Sequence, residues 1–210
     1  MIELSTTVII IVITVITSYW AMRSPTVIQR WMFTPFLIDK RNQYDRFILS
    51  GFIHKDSMHL LFNMFTFFFF GGAVEQFLMY RLGVGLGTTV FILFYLCAIV
   101  ISDIPTFLKH RNDSYYQALG ASGGVAATVF ASIILMPLSD ICLFGILCLP
   151  GFALGGLFLI YSIVQGKKGN DGINHDAHLY GALFGILFIL IISPASASNF
   201  IQEIKNFRLF

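Results

Sequence analysis

The stretch "LGASGGVAATVF" (residues 119–130) sets a serine, Ser122, between Gly120 and the pair Gly123–Gly124, in a run that otherwise reads as a membrane helix. Glycine at a helix start is costly, because it loses more backbone freedom on folding than alanine does. Its presence on both sides of Ser122 makes sense where another backbone has to come very close. Later in the chain, "AHLYGALFG" (177–185) supplies a partner: Gly181 and Gly185 form a G-x-x-x-G face that permits close helix packing in a bilayer. His178 stands one turn before Gly181 on nearly the same face. Close packing of the two segments therefore predicts His178 within hydrogen-bonding reach of Ser122.

The solvent follows from composition. The chain is 57% hydrophobic and 11% charged, with mean hydropathy +0.80. A soluble domain carries about 25% charged residues, so too little polar surface exists here to coat a globule in water. The net charge of +2 and the lack of a basic run exclude a nucleic-acid partner. Cys97, Cys142 and Cys148 lie in apolar stretches and are odd in number, which predicts small buried hydrophobes rather than a disulfide or a metal site. The N-terminal apolar run has no Lys or Arg before it, which favours a retained membrane helix over a cleaved signal.

Six stretches have the length and apolarity of a span: 5–22, 58–80, 84–104, 118–137, 141–164 and 176–193. The predicted fold class is an all-α membrane protein, a six-helix transmembrane bundle forming a single domain over residues 1–210. Tyr19, Trp20, Tyr80 and Tyr161 fall near span ends, where amphipathic rings prefer the interface. The first loop contains "WMFTPFLI" (31–38), too apolar for solvated coil and too short to span, and is expected in the interface. The tail spaces Phe200, Ile201, Ile204 and Phe207 at helical intervals, predicting a surface helix.

In a six-span chain the second, fourth and sixth helices enter the membrane from the same side. His59 and Asn63 then stand in the first turns of the second, Ser122 in the fourth, and His175 and His178 in the sixth. Topology alone brings three distant segments to one depth. Polar residues in spans are expensive and mark functional candidates. The chemistry open to them is specific. A serine hydroxyl becomes a nucleophile when a histidine takes its proton, and a desolvated site keeps that base neutral. His59 and Asn63, four apart, share a helix face and can both point at one oxyanion, with the backbone N–H of Ser122 as a third donor.

The motifs "GFIHKDSMHLLFNMF" with "FGGAVEQ", then "GASGG", then "AHLYGALFG", in this order on the second, fourth and sixth helices, resemble the rhomboid family of intramembrane serine proteases. The resemblance implies Ser122 as nucleophile and His178 as its base, His59 and Asn63 as oxyanion supports, and Gly120 as the small residue two before the nucleophile. Arg46, His54 and Glu75 resemble positions that hold the first loop and the second helix. The implied activity is cleavage of transmembrane segments of membrane proteins, with no cofactor or metal, by a multi-pass protein of the bacterial inner membrane. Two positions depart from the family. Ala126 stands where many members stack an aromatic ring on the catalytic imidazole, leaving Tyr115 or Tyr116 as guesses for what orients His178. The first loop has "DRF" in place of a Trp-Arg pair.

The same residues admit other readings. Alone, Ser122 is packing glue and His59 an interfacial residue. A metal site from "HDAH" (175–178) with His54 and His59 is the weaker reading, because no cysteine joins it. Glu75 as a proton relay lies too far along its helix, and the phenylalanines at 67–70 read as lipid-facing and packing surface. "CLPGFALGG" (148–156) reads as a mid-span kink, or as a tilt that admits substrate sideways. A transporter lacks the expected inverted repeat. The alternative from another class is a non-catalytic rhomboid-like protein that binds membrane clients.

Orientation sets two signals against each other. Arg23, Arg30, Lys40, Arg41, Arg46, Lys55, Lys109, Arg111, Lys167 and Lys168 lie in the first, third and fifth loops. Only Arg81, Lys205 and Arg208 lie on the other side, ten and three making the 13 of the chain. The positive-inside rule puts the ten in the cytoplasm; the resemblance implies cytoplasmic termini and an active site facing outward. The resemblance is followed here, on the ground that the first loop is long and partly interfacial.

Overall fold

The computed structural model describes residues 5–143, 145–168 and 172–208. Six helices make the bundle: α1 (Thr6–Arg23), α5 (Ser57–Leu82), α6 (Val84–His110), α7 (Ser122–Leu135), α8 (Gly151–Lys168) and α9 (His175–Ile192). Three short helices, α2 (Pro25–Trp31), α3 (Pro35–Arg41) and α4 (Arg46–Leu49), with a 3-10 turn at Ser50–Phe52, build the first loop. A hairpin, β1 (Asp140–Leu143) with β2 (Leu147–Pro150), joins α7 to α8, and α10 (Ala195–Asn206) ends the described chain.

Among the described residues, α1, α5, α6 and α9 are long and apolar enough to cross a membrane. Their outward residues suit lipid: Ile16 on α1, Phe65, Phe68 and Phe69 on α5, and Ile191 on α9 are exposed, while Phe67 of the same phenylalanine run is buried. Tyr19, Trp20 and Tyr80 are exposed near helix ends, as expected, whereas Tyr161, also exposed, stands midway along α8 because that helix runs from Gly151 to Lys168.

Helix α7 is the exception. Its 14 residues reach about 21 Å at 1.5 Å per residue, short of the hydrocarbon thickness. Every residue from Gly123 to Ile134 except Val129 is buried, because α5, α6, α8 and α9 all pack against it. A central helix meets protein rather than lipid, so it need not span. The expected span 118–137 is therefore too long: the helix begins at Ser122, and Ala118 instead pairs with Phe33 of the first loop in an isolated antiparallel bridge.

The fifth span needs the larger correction. Residues 140–150 form the hairpin, and the helix runs from Gly151 to Lys168. Pro150 thus ends a strand, consistent with its lack of a backbone donor, and makes no mid-helix kink. Gly155 packs against Ile133 and Phe130 of α7, where a methyl group would crowd both, whereas Gly156 faces open space. The hairpin also overturns the expectation for the cysteines. Cys142 and Cys148 are direct cross-strand partners joined by a disulfide, and Cys97 is exposed on α6. Apolar neighbours concealed a turn at Gly145 (φ 71°) that brings the two thiols together.

The first loop turns several of its apolar residues inward. Phe33, Thr34, Pro35 and Ile38 are buried, and Phe47 bridges Phe33 to Phe107 of α6 through ring contacts of 5.3 and 5.5 Å. Arg46 ties it together: Nη1 donates to the carbonyls of Gln29 (2.9 Å) and Met32 (2.6 Å), and Nε to Gln43 Oε1 (2.6 Å). At the opposite end of α5, Glu75 accepts from Ser5 Oγ (2.6 Å), the N–H groups of Thr6 (2.6 Å) and Thr7 (3.0 Å), and Thr7 Oγ1 (2.7 Å). The carboxylate caps the N-terminus of α1, satisfying donors a helix start leaves open. The tail forms the expected helix, with Phe200 against the core and Phe207 meeting Phe152 at 5.5 Å.

Candidate active site

Helices α5, α7 and α9 all begin at one end of the bundle, together with the first loop. Ser122 is the first residue of α7 and lines a small hollow with Gly120, Ser102, Asp103, Asn174 and Ala177. Three elements converge on it because glycine removes every side chain that would hold them apart. A Cβ on Gly181 would overlap the carbonyl of Gly123, and one on Gly185 the carbonyl of Ala127, so the backbones of α7 and α9 touch along two turns. On the other faces of α7, a Cβ on Gly123 would overlap the Ser102 side chain, and one on Gly124 would crowd Tyr95 and Ile99. The G-x-x-x-G face meets the serine's helix as the sequence predicts.

Gly120 has two reasons to be glycine. Its φ of 122° lies in the left-handed region, and a Cβ there would sit 2.5 Å from Cε1 of His59. Its N–H donates to the Ser50 carbonyl (3.0 Å), which fixes the turn into α7. His59 therefore lies over the backbone two residues before Ser122. Asn63, one turn on, is buried and donates from Nδ2 to the His59 carbonyl (2.9 Å). Asp56 caps α5 by accepting from the N–H of His59 (2.8 Å), which holds its carboxyl below the usual range.

Beneath His59 sits His54, fully buried, with ring centroids 5.0 Å apart. Its Nε2 accepts from the N–H of Ala121 (3.3 Å), so the proton is on Nδ1, which donates to Ser18 Oγ at 2.9 Å. One neutral imidazole thus joins α1 to the residue before Ser122. Burial, with His59 beside it, pushes the His54 imidazole down to about 3.

The start of α9 is clamped to α6. Asn174 caps α9 by accepting from the N–H of Ala177 (3.1 Å), accepts from Thr106 Oγ1 (2.8 Å), and donates to Asp103 Oδ1 (3.2 Å). Lys109 pairs with Asp176 at 3.0 Å. Four residues past this cap, the His178 ring lies 5.9 Å from that of Phe158 on α8 and 5.9 Å from that of His175. The rings beside His178 are thus those of Phe158 and His175, and the expectation of Tyr115 or Tyr116 is not met in the ring contacts. Tyr115 is 92% exposed, and Tyr116 stacks on His110 at 3.8 Å. Asp103, Asn174 and Phe158 escaped the sequence reading; a polar pair at 102–103 in an apolar helix was the available signal for Asp103. Among the described residues no three His, Cys, Asp or Glu side chains form a group able to hold a metal. His54 with His59, and His175 with His178, belong to separate helix starts.

The architecture is that of a multi-pass integral membrane protein with a polar site at one end of a helical bundle. Residues 41–195 match the family model of the Rhomboid domain, and the chain belongs to the rhomboid family. It is 32% identical over 168 residues to RHOMBOID-like protein 12, mitochondrial, of Arabidopsis thaliana, a match covering 73% of this chain and 49% of that protein. It is 29% identical over 148 residues to the Presenilin-associated rhomboid-like protein, mitochondrial, of Mus musculus, covering 68% and 36%. Rhomboid-like protein 11, chloroplastic, of Arabidopsis thaliana is 25% identical over 174 residues, covering 77% and 57%. The chain spans less than two thirds of the length of these relatives.

Proposed function

We propose that this protein is an intramembrane serine endopeptidase that cleaves transmembrane segments of membrane proteins. The observation that carries the proposal is the touching of α7 and α9 at Gly123–Gly181 and Ala127–Gly185. Parallel helices in that register bring the start of α7, with Ser122, to the level of the first turns of α9, with His178. Ser122 Oγ attacks the substrate carbonyl while the His178 imidazole takes its proton. The proton passes to the departing amine, leaving an ester on Ser122. Water, giving its proton to the same imidazole, hydrolyses that ester and restores the hydroxyl.

The oxyanion formed in each step is assigned to His59, Asn63 and the N–H of Ser122; loss of one such donor costs roughly 3–4 kcal/mol in known hydrolases. Gly120 keeps His59 against the turn. The substrates are membrane helices with small or helix-breaking residues near the cut, since a regular helix hides its carbonyls from the nucleophile. The proposed membrane is a bacterial inner membrane, while the relatives above are named for mitochondria and chloroplasts; fractionation of the native cell tests that part.

The test is cleavage of a membrane-helix substrate in liposomes by the wild type, Ser122→Ala and His178→Ala, with fluorophosphonate labelling in parallel. Cleavage and labelling confined to the wild type support the peptidase. A wild type that neither cuts nor labels, yet retains the substrate, is the non-catalytic binder.

A further inference from the structure

Two features at opposite ends of the bundle bear on which side of the membrane the site opens. The first is charge. Ten Lys and Arg lie at the Ser122 end and three at the other. Setting aside the buried Arg46 still leaves nine against three. The first loop is long, yet loops up to about 60 residues count in the positive-inside rule, and Ser24 to Asp56 is well within that. The loop is moreover a packed structure of three short helices, continuous with two membrane helices.

The second feature is covalent. The Cys142–Cys148 disulfide lies in the hairpin that follows the C-terminus of α7, the end away from Ser122. Both half-cystines are exposed. Exposed disulfides persist in oxidising compartments and are reduced by cytosolic thiols. The hairpin end is also the end of Glu75, of the start of α1 and of α10. Charge places one end in the cytoplasm and the disulfide places the other outside, and the two signals rest on different residues and different physics.

We infer that the Ser122 end faces the cytoplasm and the hairpin faces outward, so that the site takes membrane segments whose scissile stretch lies in the cytoplasmic leaflet. This reverses the orientation expected from the family resemblance. The substrate half rests on the peptidase proposed above; the orientation does not.

Thiol accessibility in intact bacterial cells tests it, using the full chain with Cys97→Ser and a membrane-impermeant maleimide. Adding Cys142→Ser leaves Cys148 as the sole thiol, and Cys142→Ser/Cys148→Ser with Ser114→Cys puts the sole thiol in the exposed loop between α6 and α7. Cys148 labelled from outside, with residue 114 labelled only after permeabilisation, is expected; the reverse overturns the inference. The disulfide-bonded chain, otherwise unchanged beyond Cys97→Ser, gives a second measurement. Its thiols stay silent until an impermeant reductant is added outside, and thiols that stay silent with external reductant but label after permeabilisation overturn the inference. Two single-span substrates then carry one Gly-Pro segment at the cytoplasmic or the outer end. Only the former is cut, the latter staying at the Ser122→Ala background. Cutting of the outer one alone overturns the inference. With Cys148 outside, cutting of neither overturns the peptidase and leaves the orientation standing.

Discussion

The carbonyl oxygen of Gly123 occupies the space that a side chain at residue 181 would need. Gly181→Ala must therefore push α9 off α7 or shift backbone, at a cost of about 1–3 kcal/mol. A displacement of about 1 Å between nucleophile and base can cost about 10²-fold in rate. Fluorophosphonate labelling of the folded variant should fall accordingly, with a lower unfolding temperature in detergent. Gly72→Ala and Gly156→Ala, where the added methyl meets nothing, should stay within about 0.5 kcal/mol of the wild type.

Gly120→Ala carries a double penalty. The φ of 122° costs an alanine about 1–3 kcal/mol, and its methyl group strikes the His59 imidazole. Combining it with His59→Ala removes the collision but not the backbone strain. The double variant should recover part of the stability lost by Gly120→Ala while remaining poorly active. A thermal unfolding series over the four chains measures this; full recovery would mean that the backbone conformation costs nothing.

Glu75 should matter for the fold and not for the site. Its carboxylate receives four hydrogen bonds from the start of α1, at the end of the bundle away from Ser122. A hydrogen bond to a charged group is worth about 1.5–3 kcal/mol, so Glu75→Ala should lose at least that much stability. Proteolysis from the N-terminus should become faster. Labelling at Ser122, normalised to folded protein, should be unchanged.

Much of this arrangement was legible in the sequence, for identifiable reasons. The bilayer showed in the scarcity of charge and the helix pairing in the spacing of Gly181 and Gly185; Glu75 was legible as a structural position but not as the cap of α1. What stayed hidden depended on shape rather than composition. An apolar run at 141–150 reads alike whether it spans or turns back on itself, and only the pairing of residues 142 and 148 separates the two. The shortness of α7 was concealed because a helix surrounded by protein is as apolar as one surrounded by lipid. Phe158 near His178 comes from a different helix, at no diagnostic spacing from Ser122, and no local pattern announces it.

His54 predicts an acid-sensitive start to α7. The neutral ring accepts from the N–H of Ala121, and burial holds its pKa at about 3, against about 6.5 in the unfolded chain. Between those values the unfolded state binds a proton that the native state does not. Stability therefore rises with pH across this window, by up to about 1.4 kcal/mol per unit. It should be fully present above about 6.5, fall as the pH drops, and level off below about 3. Protonation places an N–H where Nε2 must accept, so the residue before Ser122 loses its anchor as the ring charges. His54→Gln removes the titration: the variant should be less stable at neutral pH, and its unfolding free energy should change less between pH 7 and 4. An unaltered slope in that variant would assign the acid sensitivity to other groups.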